Sequence, residues 1–308
     1  MDIVMLGHSS AGKTTFMAAL YYRMSNGVYE YTMRFNKWAN YWYKRYTLNN
    51  SNYTLAESEQ EEKDLEQISV NVSKGIYPPA TAIRQEYVFK MRYKDYNDIK
   101  FNWFDYRGGA LMERSSQSTD TETLLARIKK SDALIVFLDG PKLEESLSKN
   151  EREFRRLVYL IKTAISNVSV EKDTYYPISF VITKEDICRD VLNSEGFNYF
   201  WENVLKDIAD SRNIAGLITW ATVNRDHIYN VHWPLFFSIQ HCMHKFMKEV
   251  VSSYERREND RGLFGSIKEF FTDEDKNATI KVVNELQENL QVLSQMLNEE
   301  NKNSLYLF

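Results

Sequence analysis

Residues 7–14 limit the folds that the chain can adopt more than any other segment does. Their sequence is Gly-His-Ser-Ser-Ala-Gly-Lys-Thr, which matches the pattern G-x-x-x-x-G-K-[ST] at every position. Glycines in such a loop let successive backbone N–H groups point inward, where they can bind phosphate oxygens. A short apolar run, residues 3–6, precedes the loop, and residues 13–24 follow it with apolar side chains at helical spacing. Strand, glycine-bounded loop and helix together predict a phosphate-binding loop.

The side chains of this loop have distinct expected roles. Lys13 would place a positive charge between the β- and γ-phosphates of a nucleotide, and the Thr14 hydroxyl is the expected Mg²⁺ ligand. The helix that starts near Lys13 adds the positive end of its dipole. The residues expected to bind nucleotide here are Gly7, Ser9, Ser10, Ala11, Gly12, Lys13, Thr14 and Thr15.

The remaining chain alternates predicted strands and helices. A continuous apolar run predicts a central buried strand at residues 133–138, and mostly apolar segments predict a further buried strand at 178–182 and a last strand at 217–223. Helical spacing predicts helices at residues 151–166, 197–208 and 235–254. A polar break separates two further strand-like segments, 86–93 and 99–104, and predicts an antiparallel hairpin. This order predicts a three-layer α/β fold, with a mostly parallel sheet and one antiparallel edge strand.

Two regions lie outside this regular pattern. Residues 25–80 are rich in Tyr, Asn, Glu and Lys, and they predict a mostly helical insertion with helices at 35–46 and 57–73. We therefore expect one domain over residues 1–254, which contains the insertion, and a helical extension over residues 255–308.

The extension ends in a predicted helix with apolar residues three and four positions apart. These residues are Ile280, Val283, Leu286, Leu290, Leu293 and Leu297. Such a stripe suits either a helix that packs on its own domain or one that associates with a partner or a second copy.

Composition excludes several classes of protein. The chain has 308 residues, and its 39 basic and 43 acidic side chains give a net charge of −4. A nearly balanced charge without a basic stripe predicts binding neither to nucleic acid nor to acidic lipid. Only two cysteines, Cys188 and Cys242, and no apolar stretch near 18 residues predict a soluble cytoplasmic protein with reduced thiols.

Two more loops follow predicted buried strands. Asp105, within the sequence Asp-Tyr-Arg-Gly, stands where a carboxylate would support Mg²⁺, and Gly108 can donate its backbone N–H to a γ-phosphate. Thr183-Lys184-Glu185-Asp186 follows the strand at 178–182. A lysine stem can lie along a purine ring, and the Asp186 carboxylate can accept from two adjacent N–H groups, which guanine presents and adenine does not. Open α/β sheets bind ligands at these strand ends.

In this order the three loops resemble those of the Ras-like, translation-factor class of P-loop GTPases. The resemblance implies GTP or GDP and Mg²⁺ as cofactors, with Thr183, Lys184 and Asp186 on the base. It also implies a threonine before the second strand, here Thr81, that senses the γ-phosphate and binds Mg²⁺. A last loop, for which Ala221 and Thr222 are the candidates, would bring a backbone N–H to the guanine oxygen.

Two segments resemble a narrower family. Pro-Pro-Ala-Thr at residues 78–81 and Asp-Tyr-Arg-Gly-Gly at 105–109 are similar to those of the double-GTPases, a bacterial branch of GTPases thought to act in conflict or defence systems. The resemblance covers roughly residues 2–254.

The sequence departs from the GTPase pattern where hydrolysis would need it most. The glutamine that usually follows the DxxG glycine and orients water is replaced by Gly109, and Ser9 occupies a position that is usually glycine. The expected catalytic residues are Lys13, Thr81, Arg107 and Gly108, and the expected Mg²⁺ ligands are Thr14, Thr81 and Asp105.

Three functions stay open on these residues. The first is a GTP-binding switch with slow hydrolysis, which would act with a protein effector or regulator. The second is a scaffold that binds GTP without hydrolysing it, favoured by Gly109 and by the apolar stripe of the C-terminal helix. The third is a P-loop ATPase or small-molecule kinase, for which only Thr183 in place of the commoner asparagine argues.

Overall fold

The β-strands of the described part of the chain form one sheet. The computed structural model describes residues 1–79, 85–96, 98–106, 119–149, 151–168, 174–263, 281, 284–285, 287–295 and 305–307. Within these residues the strands are β1 (Asp2–Leu6), β2 (Tyr31–Phe35), β3 (Gln85–Tyr93), β4 (Ile99–Asp105), β5 (Ala133–Asp139), β6 (Tyr176–Thr183), β7 (Ile214–Val223), β8 (Ile228–Tyr229) and β9 (Leu305–Leu307). Their spatial order is β2-β3-β4-β1-β5-β6-β7-β8, and β9 also pairs with β7.

Helices cover both faces of this sheet. They are α1 (Lys13–Ser25), α2 (Lys37–Trp42), α3 (Leu55–Ser73), α4 (Thr119–Lys130), α5 (Gly140–Lys149), α6 (Glu151–Ser166), α7 (Glu195–Phe200), α8 (Lys206–Ala209) and α9 (Trp233–Leu263). A π-helical turn, Tyr43–Thr47, continues α2, and a second one, Trp201–Leu205, joins α7 to α8. Of the helices described, none combines the length and apolar character that crossing a bilayer requires.

The parallel strands β4, β1, β5, β6 and β7 form the centre of the sheet. Every residue of β5 and β6 is buried, because helices cover both sides of these strands. One apolar core lies on the α1 and α9 side and a second lies on the α4 and α6 side. The predicted three-layer α/β fold with a mostly parallel sheet is therefore confirmed.

The antiparallel part of the sheet is larger than predicted. β3 pairs antiparallel with β4, as expected, but β2 adds a further antiparallel strand beyond β3. β2 lies inside the insertion that the sequence predicts as mostly helical, and that prediction did not include this strand. Its side chains alternate, with Tyr31, Met33 and Phe35 buried and Arg34 exposed, which is the pattern of a strand with one face on the core.

The insertion helices pack on the domain through a buried polar cluster. The Asn40 amide nitrogen lies 3.0 Å from the Tyr53 hydroxyl, 3.0 Å from Ser58 Oγ and 2.9 Å from a Glu61 carboxylate oxygen. At the start of α3, Thr54 and Glu57 cap each other's backbone N–H groups, which fixes where the helix begins. The insertion is thus held in a defined position next to the sheet.

The described part of the C-terminal helix packs on the same chain. Residues 287–295 are helical, and Leu290 and Leu293 are buried in the core that also contains α1 and α9. The Tyr31 hydroxyl donates to the Asn289 side-chain oxygen over 3.0 Å, and Gln240 donates to Ser294 over 2.6 Å. The other four apolar positions of the predicted stripe lie outside the described residues.

Helix α9 continues to Leu263, beyond the predicted end of the first domain at residue 254. The predicted boundary therefore falls inside a helix. In addition, β9 pairs with β7, so the extension contributes a strand to the sheet of the first domain. The division into residues 1–254 and 255–308 stays a prediction.

Candidate functional site

The loop between β1 and α1 folds as its glycines require. Gly12, immediately before α1, has a left-handed backbone with φ of +82°, which side chains rarely adopt. Gly7 lies so close to β5 that an added Cβ would stand 2.8 Å from the carbonyl oxygen of Phe137. These two positions let the loop turn tightly against the sheet, with its concave side open to a ligand.

Lys13 is buried and curls back over this loop. Its Nζ donates to the carbonyl oxygen of Gly7 over 3.1 Å and lies 3.4 Å from that of His8. Burial lowers the pKa of Lys13, and the negative charge of Asp105 raises it in opposition. A phosphate in the loop would offer this ammonium a charged acceptor, which binds more strongly than a carbonyl.

Asp105 stands at the carboxyl end of β4, opposite Met5 of β1, and is fully buried. Its Oδ2 accepts a hydrogen bond from the Thr14 hydroxyl over 2.7 Å. Its Oδ1 has no hydrogen-bond partner among the residues that the structure describes. Burial raises the pKa of this carboxyl, while Lys13 and Thr14 lower it.

This arrangement fits a magnesium ion. Mg²⁺ prefers oxygen ligands and usually takes one or two carboxylates, waters and nucleotide phosphates. The Thr14 hydroxyl and the buried Asp105 carboxylate offer such oxygens beside the phosphate loop, and an acceptor that is buried without a partner is costly unless a ligand satisfies it. A bound Mg²⁺ would neutralise charge on the phosphates.

Thr183 connects the loop after β6, which we call the base loop, to the loop between β1 and α1, which we call the phosphate loop. Its hydroxyl lies 3.1 Å from the carbonyl oxygen of Ala11 and 3.2 Å from that of Leu138, so it can donate to either. The side chain is almost fully buried at the end of β6. The sequence assigns Thr183 to the base-binding loop, in place of the commoner asparagine, and the structure adds that its hydroxyl supplies a hydrogen bond between two loops.

Replacing Thr183 by valine should therefore lower stability. Valine keeps the branched shape but removes the donor, which leaves the buried carbonyl of Ala11 without this partner. We expect a loss of about 1–2 kcal/mol in the free energy of unfolding, measured by urea titration. Thr163→Val, at a half-buried position on α6, is the control and should change stability far less, because its hydroxyl donates only to a carbonyl one turn earlier on its own helix. Equal stability of Thr183→Val and the parent would contradict the role of this hydrogen bond.

Lys184 is held by a carboxylate that sequence reasoning missed. Its Nζ lies 2.7 Å from Oδ2 of Asp139, which is only 3% exposed at the end of β5. This pair fixes the ammonium and leaves the apolar stem of Lys184 to lie beside a ligand. The signal was present in the sequence, because Asp139 directly follows the continuous apolar run at residues 133–138.

Asp186 lies at the surface, where the loop after β7 positions it. The Asn224 amide donates to Asp186 Oδ2 over 2.9 Å. In the neighbouring turn the Thr222 hydroxyl donates to Glu185 over 3.1 Å. These two bonds tie the base loop to the loop after β7. Nothing in the local sequence indicates Asn224, because it is brought to Asp186 only by the pairing of β6 with β7.

These loops enclose one cavity of about 500 Å³ at the carboxyl edge of the sheet. Most of the predicted binding residues line it, namely Ser9, Ser10, Ala11, Gly12, Lys13, Thr14, Thr15, Thr183, Lys184, Asp186 and Ala221. Sequence reasoning missed further lining residues, which are Phe16, Tyr77, Pro78, Pro79, Ile187 and Val223. The predicted Thr81, Arg107 and Gly108 lie outside the described residues.

A phosphate loop after β1, a buried carboxylate after β4 and a Thr-Lys-x-Asp loop after β6 share one edge of a parallel sheet. This combination defines a P-loop nucleotide-binding domain of the GTPase type. The chain belongs to the Double-GTPase 2 family, whose model matches residues 3–227. It is therefore a G-domain protein that binds guanine nucleotide, as the family implies.

Two solved structures are similar to this chain at low sequence identity. One is the signal recognition particle receptor SRb-GTP/SRX complex from Chaetomium thermophilum, with 12% identity, a TM-score of 0.41, and 72% of this chain and 90% of that chain covered. Another is a mutant of NFeoB from S. thermophilus bound to GDP, with 11% identity, a TM-score of 0.35, and 99% and 100% covered. No curated protein matches the sequence.

Proposed function

We propose that this protein is a GTP-binding molecular switch that hydrolyses GTP slowly with the help of Mg²⁺. The observation that carries the proposal is the contact of 2.7 Å between the Thr14 hydroxyl and the buried Asp105 carboxylate, beside a cavity that Asp186 also lines. Phosphate, metal and base positions thereby lie along one edge of the sheet. The proposal places the protein in the cytoplasm, as its sequence predicts.

In this proposal, different residues of the chain bind the phosphates, the metal and the base of the nucleotide. The backbone N–H groups of residues 7–14 and the Lys13 ammonium bind the phosphates. Thr14 and Asp105 hold the metal, together with Thr81 by resemblance to the wider class. Lys184 lies along the base and Asp186 accepts from its two N–H groups, while a backbone N–H near Ala221 and Thr222 meets the guanine oxygen.

We expect hydrolysis to be slow because the glutamine that usually follows the DxxG glycine is absent. Positioning and charge stabilisation supply most of the catalysis in phosphoryl transfer, so the phosphate loop alone supports some turnover. Gly109 has no side chain to orient the attacking water. Arg107 is the residue that we assign to the γ-phosphate in its place, beside the backbone N–H of Gly108.

The switch would act on the segments around Thr81 and Gly108. Both contact the γ-phosphate in the proposed GTP state, and hydrolysis releases them. A protein effector or regulator would recognise this difference. By resemblance to the double-GTPases, the partner would belong to a bacterial conflict or defence system. Self-association through the C-terminal helix would have to use residues other than the buried Leu290 and Leu293.

Calorimetric titration with GTP, GDP and ATP, each with Mg²⁺, tests the proposal. We expect GTP and GDP to bind and ATP to bind at least about 100-fold more weakly, because a carboxylate that reads two N–H groups is left unpaired by adenine. Equal affinities for ATP and GTP would instead favour the ATPase or kinase alternative.

A phosphate-release assay then separates the switch from the scaffold. The switch predicts slow release from GTP by the chain alone, or faster release once a partner is added. Gly109 favours the scaffold as the second candidate, and that candidate predicts no release above the background of Lys13→Ala under either condition.

Replacing Asp105 by asparagine should raise the Mg²⁺ concentration needed for nucleotide binding and slow phosphate release by about tenfold or more. The substitution keeps the size of the side chain and removes the charge that faces the metal. Asp95→Asn is the matched control, because Asp95 is exposed in the turn between β3 and β4. An unchanged Mg²⁺ requirement in Asp105→Asn would contradict the metal assignment.

A further inference from the structure

The segment after the insertion helix α3 crosses to the base side of the cavity. We call residues 74–79 the strap. The Tyr77 hydroxyl donates to the carbonyl oxygen of Val223, at the end of β7, over 3.1 Å. Tyr77, Pro78 and Pro79 line the cavity on the same side as Asp186 and Val223. The strap therefore borders the part of the cavity that is assigned to the base, with Tyr77 itself 52% exposed.

A second close approach fixes the strap beside the same loop. Gly75 has φ of +77°, and an added Cβ would stand 2.9 Å from Cβ of Arg225. The backbone N–H of Gly75 donates to Val72 over 3.0 Å, and that of Ile76 donates to Asn71 over 2.9 Å. The strap is therefore joined firmly to the end of α3 while it packs against the loop after β7.

The strap and the base-reading carboxylate share this loop. Val223 accepts from Tyr77, Asn224 donates to Asp186, and Arg225 packs against Gly75. Burial and the charge of Asp186 raise the pKa of Tyr77, so its hydroxyl stays protonated and remains a donor. Two consecutive prolines restrict the backbone of the strap, which limits the conformations it samples when it opens.

We propose that Tyr77 is a positioning residue for guanine nucleotide, whose hydroxyl holds the end of β7 against the base, so that release of the base requires the strap to leave Val223. This inference rests on the proposed binding of guanine nucleotide. It assigns the insertion a role, because α3 carries the strap and any partner that moves α3 would change the rate of nucleotide release.

Stopped-flow release of a fluorescent GDP analogue from the full chain tests this role. Tyr77→Phe keeps the aromatic ring and removes only the hydroxyl, and we expect release to be about fivefold faster. The affinity for inorganic pyrophosphate, which occupies the phosphate loop alone, should stay within twofold of the parent. Tyr159→Phe is the control, because Tyr159 is 67% exposed on α6, and it should release GDP at the parental rate.

Gly75→Ala is an independent variant that displaces the strap without touching Tyr77. It should also accelerate GDP release and spare pyrophosphate binding. Parental release rates in Tyr77→Phe, in a chain that binds GDP, would overturn the strap and leave the proposed function intact. An equal loss of GDP and pyrophosphate affinity would also overturn it, as general damage to the cavity. A parent chain that binds pyrophosphate but no GDP would overturn the proposed function itself, and this inference with it.

Discussion

Replacing Lys13 by alanine should weaken GTP binding by about 100-fold and reduce phosphate release to background. The lysine supplies the one buried side-chain ammonium that reaches the phosphate loop in the described structure, with Nζ 3.1 Å from the carbonyl of Gly7. Hydrogen bonds from a charged donor to a phosphate are about twice as strong as neutral ones. Each tenfold change in affinity corresponds to about 1.4 kcal/mol in the free energy of binding. Calorimetry with GTP and Mg²⁺ measures the loss.

The fold should tolerate this change. In the described structure the Lys13 ammonium donates to carbonyls of its own loop, and its charge also compensates that of the buried Asp105 carboxylate. Its removal takes away one buried charge but also takes that compensation from Asp105, so the two effects on stability oppose each other. We expect the melting temperature without nucleotide to stay within about 5 °C of the parental value. Lys162→Ala is the control, because Lys162 pairs with Asp207 at the surface of α6. A Lys13→Ala chain with near-parental GTP affinity would contradict the assignment of the loop.

The part of the fold that the sequence predicts is the part with strong local signals. β1, β5 and β6 are mostly apolar, as strands buried on both faces of a parallel sheet usually are. The phosphate loop is predicted for the same reason, since its glycines, lysine and threonine lie close together in sequence.

Strands whose stability comes from a partner were missed. β2 has only five residues, and its alternation is hard to recognise between polar turns and the aromatic start of α2. It is a strand because β3 offers it a free edge and a core face. β8 and β9 are shorter still, and they are ordered by β7.

The same contrast divides the candidate site. Its phosphate side comes from one short stretch of sequence, whereas its base side is assembled from the strap, the loop after β6 and the loop after β7. Asn224 and Tyr77 meet Asp186 and Val223 through separations of 38 and 146 residues. No local pattern indicates such pairs, because it is the order of the strands that brings them together.

The base side also gives the sharpest test of nucleotide identity. Replacing Asp186 by asparagine should reduce GTP affinity by about 100-fold or more and raise the affinity for xanthosine triphosphate. A carboxylate only accepts hydrogen bonds, and guanine presents two adjacent N–H groups to it. The asparagine amide adds a donor, which suits xanthine because an oxygen replaces the amino group there. A site that hydrogen-bonds a polar group of its ligand strongly rejects an analogue that lacks this group. Competition between the two nucleotides for a fluorescent analogue measures the ratio.

The control for this change is Asp210→Asn, an exposed carboxylate after α8, which should keep the parental preference for GTP. Asn224→Ala gives a graded outcome, because Asp186 keeps its carboxylate but loses the amide that orients it. We expect that variant to lose about threefold to tenfold in GTP affinity without gaining xanthosine triphosphate. If Asp186→Asn bound GTP and xanthosine triphosphate as the parent does, Asp186 would not read the base. The Asp186–Asn224 bond would then only hold two surface loops together.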